Sequence, residues 1–195
     1  ASVEEIASDS LTGVCFSNEL VDALPVHRVR WEHNQLCEMC VTYEGGHFVE
    51  YQDPAPSPKL AEYVDIHKIS LSEGQTTELH IEAEAWMKHV ARVLHCGIVL
   101  TIDYGHAARD YYRSDRKDGT LLCYYRHAIS SNPYARIGEQ DMTAHVNFSA
   151  LANSGIFSGL DLVGLTTLAN WLIGLGVEDL VRDQEQESED VRALS

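Results

Sequence analysis

Apolar residues fall in short runs that read as strands, with one longer stretch at helical spacing. Val14 to Phe16 has the length of a buried strand and stops abruptly at Ser17-Asn18-Glu19. Val26 to Trp31 and Leu36 to Tyr43 alternate in polarity, with Asn34-Gln35 between them and Gly45-Gly46 before His47 to Tyr51. Alternation broken by turn residues predicts antiparallel strands, hence a β-rich insertion over residues 26–51. Asp53 to Pro58 holds three prolines and predicts a turn segment. From Thr77 to Leu94, the positions Leu79, Ala83, Trp86, Val90 and Val93 approximate a 3.6-residue period, with Glu78, Glu82 and Glu84 toward the start. That spacing predicts one amphipathic helix with its acids at the favourable end. Ile98 to Ile102 then reads as a buried strand ending at Asp103. A helix between two apolar strands predicts a βαβ crossover joining strand 14–17 to strand 98–102 in parallel.

The remaining segments are shorter. Leu20 to Leu24 reads as one or two helical turns closed by Pro25. Tyr104 to Gly119 is a long polar connection, Thr120 to Tyr125 a strand, and Ile129 to Asp141 a loop. Asn147 is placed to cap a helix from Phe148 to Ser154, with Gly155 at its end. Asp161 to Leu165 reads as a last strand and Thr167 to Leu175 as a final helix. Residues 178–190 hold seven acids and a single Arg, so 178–195 is expected to be a solvated acidic tail. The pattern as a whole predicts one α/β domain.

Composition narrows the partners. A net charge of −16 argues against a nucleic-acid backbone or an anionic membrane and is equally compatible with a basic protein substrate and with plain solubility. The five cysteines are an odd number in a chain too long to need disulfide staples, which favours a reducing compartment. No apolar run approaches the length of a membrane span, and no secretory signal is visible. The chain opens at Ala1, as a cut or processed fragment would.

Candidate chemistry concentrates at strand ends. Glu19 and Asp22 stand three residues apart just past the first strand, where ligands sit in parallel sheets. Such a pair can orient a guanidinium or hold a cation; the alternative is that Asn18 caps a helix and the acids occupy its first turn. Asp103 with His106, and Asp141 with His145, offer acid–imidazole pairs, with turn and capping roles as the alternative. Tyr104, Tyr111, Tyr112, Tyr124 and Tyr125 suit either a cation pocket or packing. Cys37 and Cys40, with His33 and His47 nearby, raise a zinc site. On a strand, positions 37 and 40 face opposite ways, and no second C-x-x-C follows, so no metal is expected. The spaced pair Gly174 and Gly176 follows a predicted helix, not a strand, and reads as a helix end.

The run Ser17-Asn18-Glu19-Leu20-Val21-Asp22-Ala23-Leu24-Pro25-Val26-His27 resembles the signature of the MidA-like methyltransferases. Thr101 to His106, Gly119-Thr120-Leu121 leading to Tyr125-Arg126-His127, and Gly138 to Phe148 match further family motifs in the same order. The resemblance implies the C-terminal half of that architecture: a partial Rossmann-like class I methyltransferase sheet with a β-rich insertion. It implies S-adenosylmethionine as cosubstrate, with Ser17 and Asn18 against it and most of its site, including the Gly-rich turn, upstream of Ala1. It implies methyl transfer to a protein arginine, with Glu19 and Asp22 orienting the guanidinium and His145 receiving a proton. Asp103, Tyr104 and Asp141 would hold substrate. Bacterial members would work in the cytoplasm; mitochondrial members, as complex I assembly factors, would work on a respiratory-complex subunit in the matrix. A non-enzymatic assembly module and a small-molecule methyltransferase are the competing readings, since the fold hosts many functions.

Overall fold

After a 3-10 turn at Val3–Glu5, the chain enters β1 (Leu11–Asn18) and then a meander of three strands, β2 (His27–Glu32), β3 (Gln35–Glu44) and β4 (His47–Asp53). Next come α1 (Pro58–Ile66), β5 (Thr76–Leu79), α2 (Ile81–Val93) and β6 (Leu94–Ile102). The segment that follows is built of short pieces: β7 (Gly105–His106), α3 (Ala108–Tyr111), β8 (Leu122–Tyr125), β9 (Ala128–Ser130), β10 (Asp141–Thr143) and β11 (Val146–Asn147). α4 (Phe148–Phe157) and α5 (Leu168–Gly174) follow, and residues 177–182 are again helical. This computed structural model describes residues 3–182 and divides after Asp161 into two units.

In the first unit, β1 and β6 pair in parallel, with Val14 opposite Ile98 and Asn18 opposite Ile102. α2 leads directly into β6, as the crossover reading requires. One face of the pair packs on the core through Val99. The other carries Val14, Phe16 and Ile98, each 58–62% exposed. Parallel strands are normally covered on both faces, so this face is open within the chain. The core beneath joins Val21, Ala83, Met87, Val146 and Leu151. α2 and α4 meet there, and Ser154 Oγ donates to the Glu84 carbonyl at 3.0 Å.

A second sheet has the order β4-β3-β2-β5, all antiparallel. Its hairpins are two residues long, at His33-Asn34 and Gly45-Gly46, each with both φ values positive. That is the turn geometry whose twist matches antiparallel strands. The first turn sits one residue before the predicted Asn34-Gln35. Val29, Leu60, Tyr63, Leu79 and Ala150 form the core under this sheet.

Several local expectations give way. Residues 20–24 form turns, not helix, because their backbone is held by the end of β6, as described below. The helix expected from Thr77 starts only at Ile81, and residues 76–79 form β5, with all four side chains buried. Burial on both faces defeats a one-face helical reading. α1 begins at Pro58, the last residue of the expected turn, and runs through 59–66, for which no element was predicted; Pro58 starts it where a missing N–H costs nothing. Asn147 does cap α4, its side chain accepting from Ala150 N, but the helix runs past Gly155 to Phe157. In the second unit, residues 162–165 form no strand. Thr167 caps α5 through Asn170 N, and Gly176 lies beyond its end at positive φ. Most of the acidic tail lies outside the described residues.

The burial of Glu78 binds the two halves of the first unit. The residue is fully buried in β5. Its Oε2 accepts from Thr120 N at 2.9 Å, Thr120 Oγ1 at 2.9 Å and the Tyr111 hydroxyl at 3.2 Å. Its Oε1 accepts from Leu121 N at 3.3 Å. Gly119 is required beside it: a Cβ there would lie 2.2 Å from Oε1, and the backbone is at φ +77°. Every partner is a donor, so a carboxylate fits and an amide does not. Glu78→Gln, nearly isosteric, turns one acceptor into a donor facing donors. It is expected to lower unfolding free energy by about 2–4 kcal/mol, read as an earlier urea midpoint with an unchanged slope.

Candidate active site

The carboxyl ends of β1 and β6 are joined side by side. Ser17 Oγ donates to Thr101 Oγ1 at 3.2 Å, and Glu19 N donates to the Ile102 carbonyl at 2.9 Å, extending the pairing past the strand. Glu19 then takes φ +46°, a left-handed conformation that costs free energy for a residue with a Cβ. Asp103 fixes the turn that follows. Its Oδ2 accepts from Val21 N at 2.9 Å and Asp22 N at 3.3 Å, and its Oδ1 from Tyr104 N at 2.8 Å. Asp103 thus holds the N–H groups of Val21 and Asp22, and Leu24 N donates to the Val21 carbonyl at 3.2 Å, so residues 20–24 form a turn. The Asp22 carbonyl in turn accepts from Ala144 N at 2.9 Å, bringing in the 141–147 segment. β7 and β11 close the arrangement in parallel, and Val146 N donates to the Tyr104 carbonyl at 2.7 Å. Gly105 permits that approach, since a Cβ there would meet Val146 O at 2.2 Å.

Four carboxylates gather on this edge. Asp22 is 5% exposed. Burial, and after it the charges of Asp103, Glu19 and Asp141, push its carboxyl up to about 6. Glu19 lies close to the Tyr104 phenol, and its charge pushes that phenol above its usual range. None of the four acids has a lysine or arginine at ion-pair distance among the described residues. Asp22 is buried, Asp103 half-buried, and Glu19 and Asp141 exposed; their mutual repulsion around the buried Asp22 is unfavourable, and a bound cation would relieve it.

The imidazoles pair differently from the acid–imidazole expectation. His145 Nδ1 lies 3.2 Å from His106 Nε2, and Arg116 Nη2 lies 3.1 Å from the same nitrogen. Asp103 is committed to backbone, and Asp141 forms no hydrogen bond with His145. His145 N donates to Thr120 Oγ1 at 3.0 Å, which ties the imidazole to the buried Glu78 cluster. Burial, then the Arg116 charge, lowers the pKa of both rings.

Of the other sequence candidates, Ser17 is buried with its hydroxyl spent on Thr101, and Asn18 is exposed at the strand end. Asp141 is exposed in β10. Tyr104 remains at the site, with Tyr124 close enough to influence it. Tyr111 and Tyr112 belong to the interior: Tyr111 is fully buried against Glu78 and His80, and the Tyr112 hydroxyl accepts from Asn147 Nδ2 at 3.0 Å. Tyr125 is covered by the Arg136 guanidinium at 3.8 Å. Cys37 and Cys40 both lie in β3 and are free, and no group of three potential metal ligands occurs among the described residues. Among those residues no helix is long and apolar enough to cross a membrane. Sequence reasoning missed Glu78, Thr120 and Arg116. Thr120 lay inside a matched motif; Arg116 sits in a polar loop with no periodicity to mark it.

A parallel strand pair with a helical crossover and acids at its carboxyl edge defines an α/β protein of the ligand-at-strand-end kind. Comparison with known proteins narrows the class. Residues 2–166 match the family described as "Putative S-adenosyl-L-methionine-dependent methyltransferase", and the chain belongs to that family. It is similar to a Burkholderia thailandensis protein described as a "likely methyl transferase" and crystallised with S-adenosyl-homocysteine. The two share 35% identity over 92% of this chain and 46% of that one, with a TM-score of 0.84. A native crystal structure of an uncharacterized protein of the same superfamily and organism gives 36% identity over 90% of this chain and 46% of that one, with a TM-score of 0.83. The chain therefore spans about half the length of these solved structures. No curated protein matches it.

The raised carboxyl of Asp22 has a stability consequence. Its folded value of about 6 lies above the ordinary 3.8, so between these values the folded state binds the proton more tightly. Stability from this group is greatest below pH 4 and is lost as pH rises through about 6. Asp22→Asn, which keeps the shape and removes the charge, is expected to stabilise the protein at pH 7 by roughly 1–3 kcal/mol. Thermal melts between pH 4 and 8 should show that gain at neutral pH and little of it at pH 4.

Proposed function

We propose that this protein acts in S-adenosylmethionine-dependent methyl transfer to the guanidinium of a protein arginine. The observation that carries the reading is the set of four carboxylates at the β1–β6 edge with no cation of their own. A guanidinium is planar and cationic and takes paired hydrogen bonds from carboxylates. Glu19 and Asp22 are the orienting pair, with Asp141 adding negative charge and Tyr104 close to Glu19. Asp103 serves as the positioning residue that fixes the turn bearing the pair.

The residues fit the reacting end of the cofactor. Negative charge beside the strand ends suits a sulfonium, and Asn18 is exposed there with its amide available. The 195 residues contain no Gly-rich turn after a strand. We place most of the cofactor site in sequence outside this chain. The open face of Val14, Phe16 and Ile98 is where helices of a complete doubly wound fold would pack. S-adenosylmethionine supplies an electrophilic methyl group. The chain's own residues hold the guanidinium in line for it, which is where most of the rate gain arises. One proton leaves the guanidinium nitrogen as it becomes alkylated, and His145 accepts it. Neutral imidazole at working pH suits that role, and the depressed pKa of His145 keeps it neutral.

Two measurements test the reading. In the intact protein that contains this chain, Glu19→Gln and Asp22→Asn should each slow single-turnover methylation of an arginine peptide by roughly ten- to a hundred-fold, while cofactor affinity changes little. Wild-type rates in both would sink the assignment. The chain of residues 1–195 alone should bind S-adenosylmethionine weakly in calorimetric titration; micromolar binding, about −8 kcal/mol, would mean that the cofactor site is here.

A further inference from the structure

We infer that Arg116 and His106 are positioning residues that fix the tautomer of His145, with its proton on Nδ1 and its lone pair on Nε2. The inference rests on the proposed role of His145 but is drawn from hydrogen-bond geometry. His106 Nε2 has two polar neighbours, Arg116 Nη2 at 3.1 Å and His145 Nδ1 at 3.2 Å. A guanidinium only donates. His106 Nε2 must therefore be an acceptor, which puts the His106 proton on Nδ1 and leaves the ring neutral. His145 Nδ1 faces the same acceptor. Were it unprotonated, two lone pairs would meet at 3.2 Å; protonated, it donates, sharing the single His106 Nε2 lone pair with Arg116 in a bifurcated bond. A neutral His145 then carries its lone pair on Nε2 and is a base from that side only.

Arg116 is itself held rigidly. Its Nη1 donates to the Tyr111 carbonyl at 3.1 Å, and the guanidinium lies 6.0 Å from the centre of the Tyr111 ring. Tyr111 is fully buried and bonded to Glu78. The order of contacts runs from the buried carboxylate through Tyr111 and Arg116 to His106 and then His145. Thr120 reaches the backbone of the same His145 from the other side. When His145 takes a proton on Nε2, its Nδ1–H still points at the His106 acceptor, so the imidazolium keeps a partner. A third group orienting an imidazole in this way is a general feature of catalytic bases; here the orienting group is a second neutral imidazole, locked by an arginine. The other charged groups facing the pair are Asp110 and Arg113 near His106 and Asp103 near His145. Arg113 pairs with Asp115, which leaves Arg116 as the cation in direct contact.

Ring 15N shifts, read by long-range 1H–15N correlation, test the inference. In the intact wild-type protein at pH 7, both His106 and His145 should show the Nδ1–H tautomer. In Arg116→Gln, the tautomers should become mixed, and the His106 titration should move up by roughly one pH unit. The acid limb of the kcat profile should move with it, while KM for the arginine peptide changes little. Arg116→Lys, which restores a cationic donor, should return the shifts toward wild type. An Nε2–H tautomer for His145 in the wild type overturns the inference, and that measurement needs no variant to fold. Tautomers and titrations unchanged in a folded Arg116→Gln protein overturn it as well. Because the ring shifts are read without turnover, absence of arginine methylation beside an intact Nδ1–H signature would remove the substrate assignment and leave the tautomer assignment supported.

Discussion

The first unit depends on one buried anion, the carboxylate of Glu78. A carboxylate removed from water is costly unless nearly every lone pair is met. Here the donors are two backbone N–H groups and two hydroxyls, with no counter-cation. They come from parts of the chain more than thirty residues away, Tyr111 and the 120–121 segment. The charge can be buried only if that segment lies where it does, and Thr120 can then accept from His145 N. The same carboxylate explains the glycine at 119, since no Cβ fits against it.

The opposite condition holds at the strand ends. Asp22 is buried among like charges, and Glu19 is held in a left-handed conformation. Neither is favourable for folding. The free energy is offset by the hydrogen bonds that Asp103 makes to three backbone N–H groups and by Val21, fully buried in the core beside the turn. Strain and mutual repulsion at a site, supported by well-satisfied neighbours, is the arrangement expected where binding rather than stability set the residues. A stabilising amide at Asp22 that also slows turnover would separate these two demands in one substitution.

Much of this was legible in the sequence, because period and caps speak locally. The runs at Val14 to Phe16 and Ile98 to Ile102 were strands, and the helix between them made the pairing parallel. The meander 27–53 showed in its alternation and glycines, and Asn147 in its place before an apolar helix. What was not legible depends on distant partners. Residues 20–24 look helical in sequence, and nothing local shows that Asp103, some eighty positions later, accepts from Val21 N and Asp22 N to fix a turn. Glu78 looks like a helix-start acid until Thr120 and Tyr111 enclose it. His106 and His145 each sit near an acid in sequence and meet each other in space. The apolar Leu162 to Leu165 lacks the pairing partner that would make it a strand. The family motifs and the spatial contacts are separate kinds of signal: the hydrogen bonds of Asp103, Thr120 and His145 join segments that no local reading connects.

The β-rich segment proves to be less of an appendage than its sequence suggests. Its sheet does not end at the meander. β2 pairs on its far side with β5, His27 opposite Leu79 and Arg30 opposite Thr76. β5 is the strand that carries Glu78, and it is followed directly by α2 and the crossover into β6. Thr76 N also donates to the Lys117 carbonyl at 2.8 Å, so the strand fixes the segment bearing Arg116 and Thr120 by backbone as well as by side chain. The meander therefore braces the strand from which the imidazole pair is ultimately positioned. A change in β2 packing, for example at the fully buried Val29, reaches His145 through Glu78 and Thr120 without any contact between the meander and the site itself. Residues 27–53 thus have a mechanical reason to be present in a methyltransferase fold, independent of whatever else their exposed face binds.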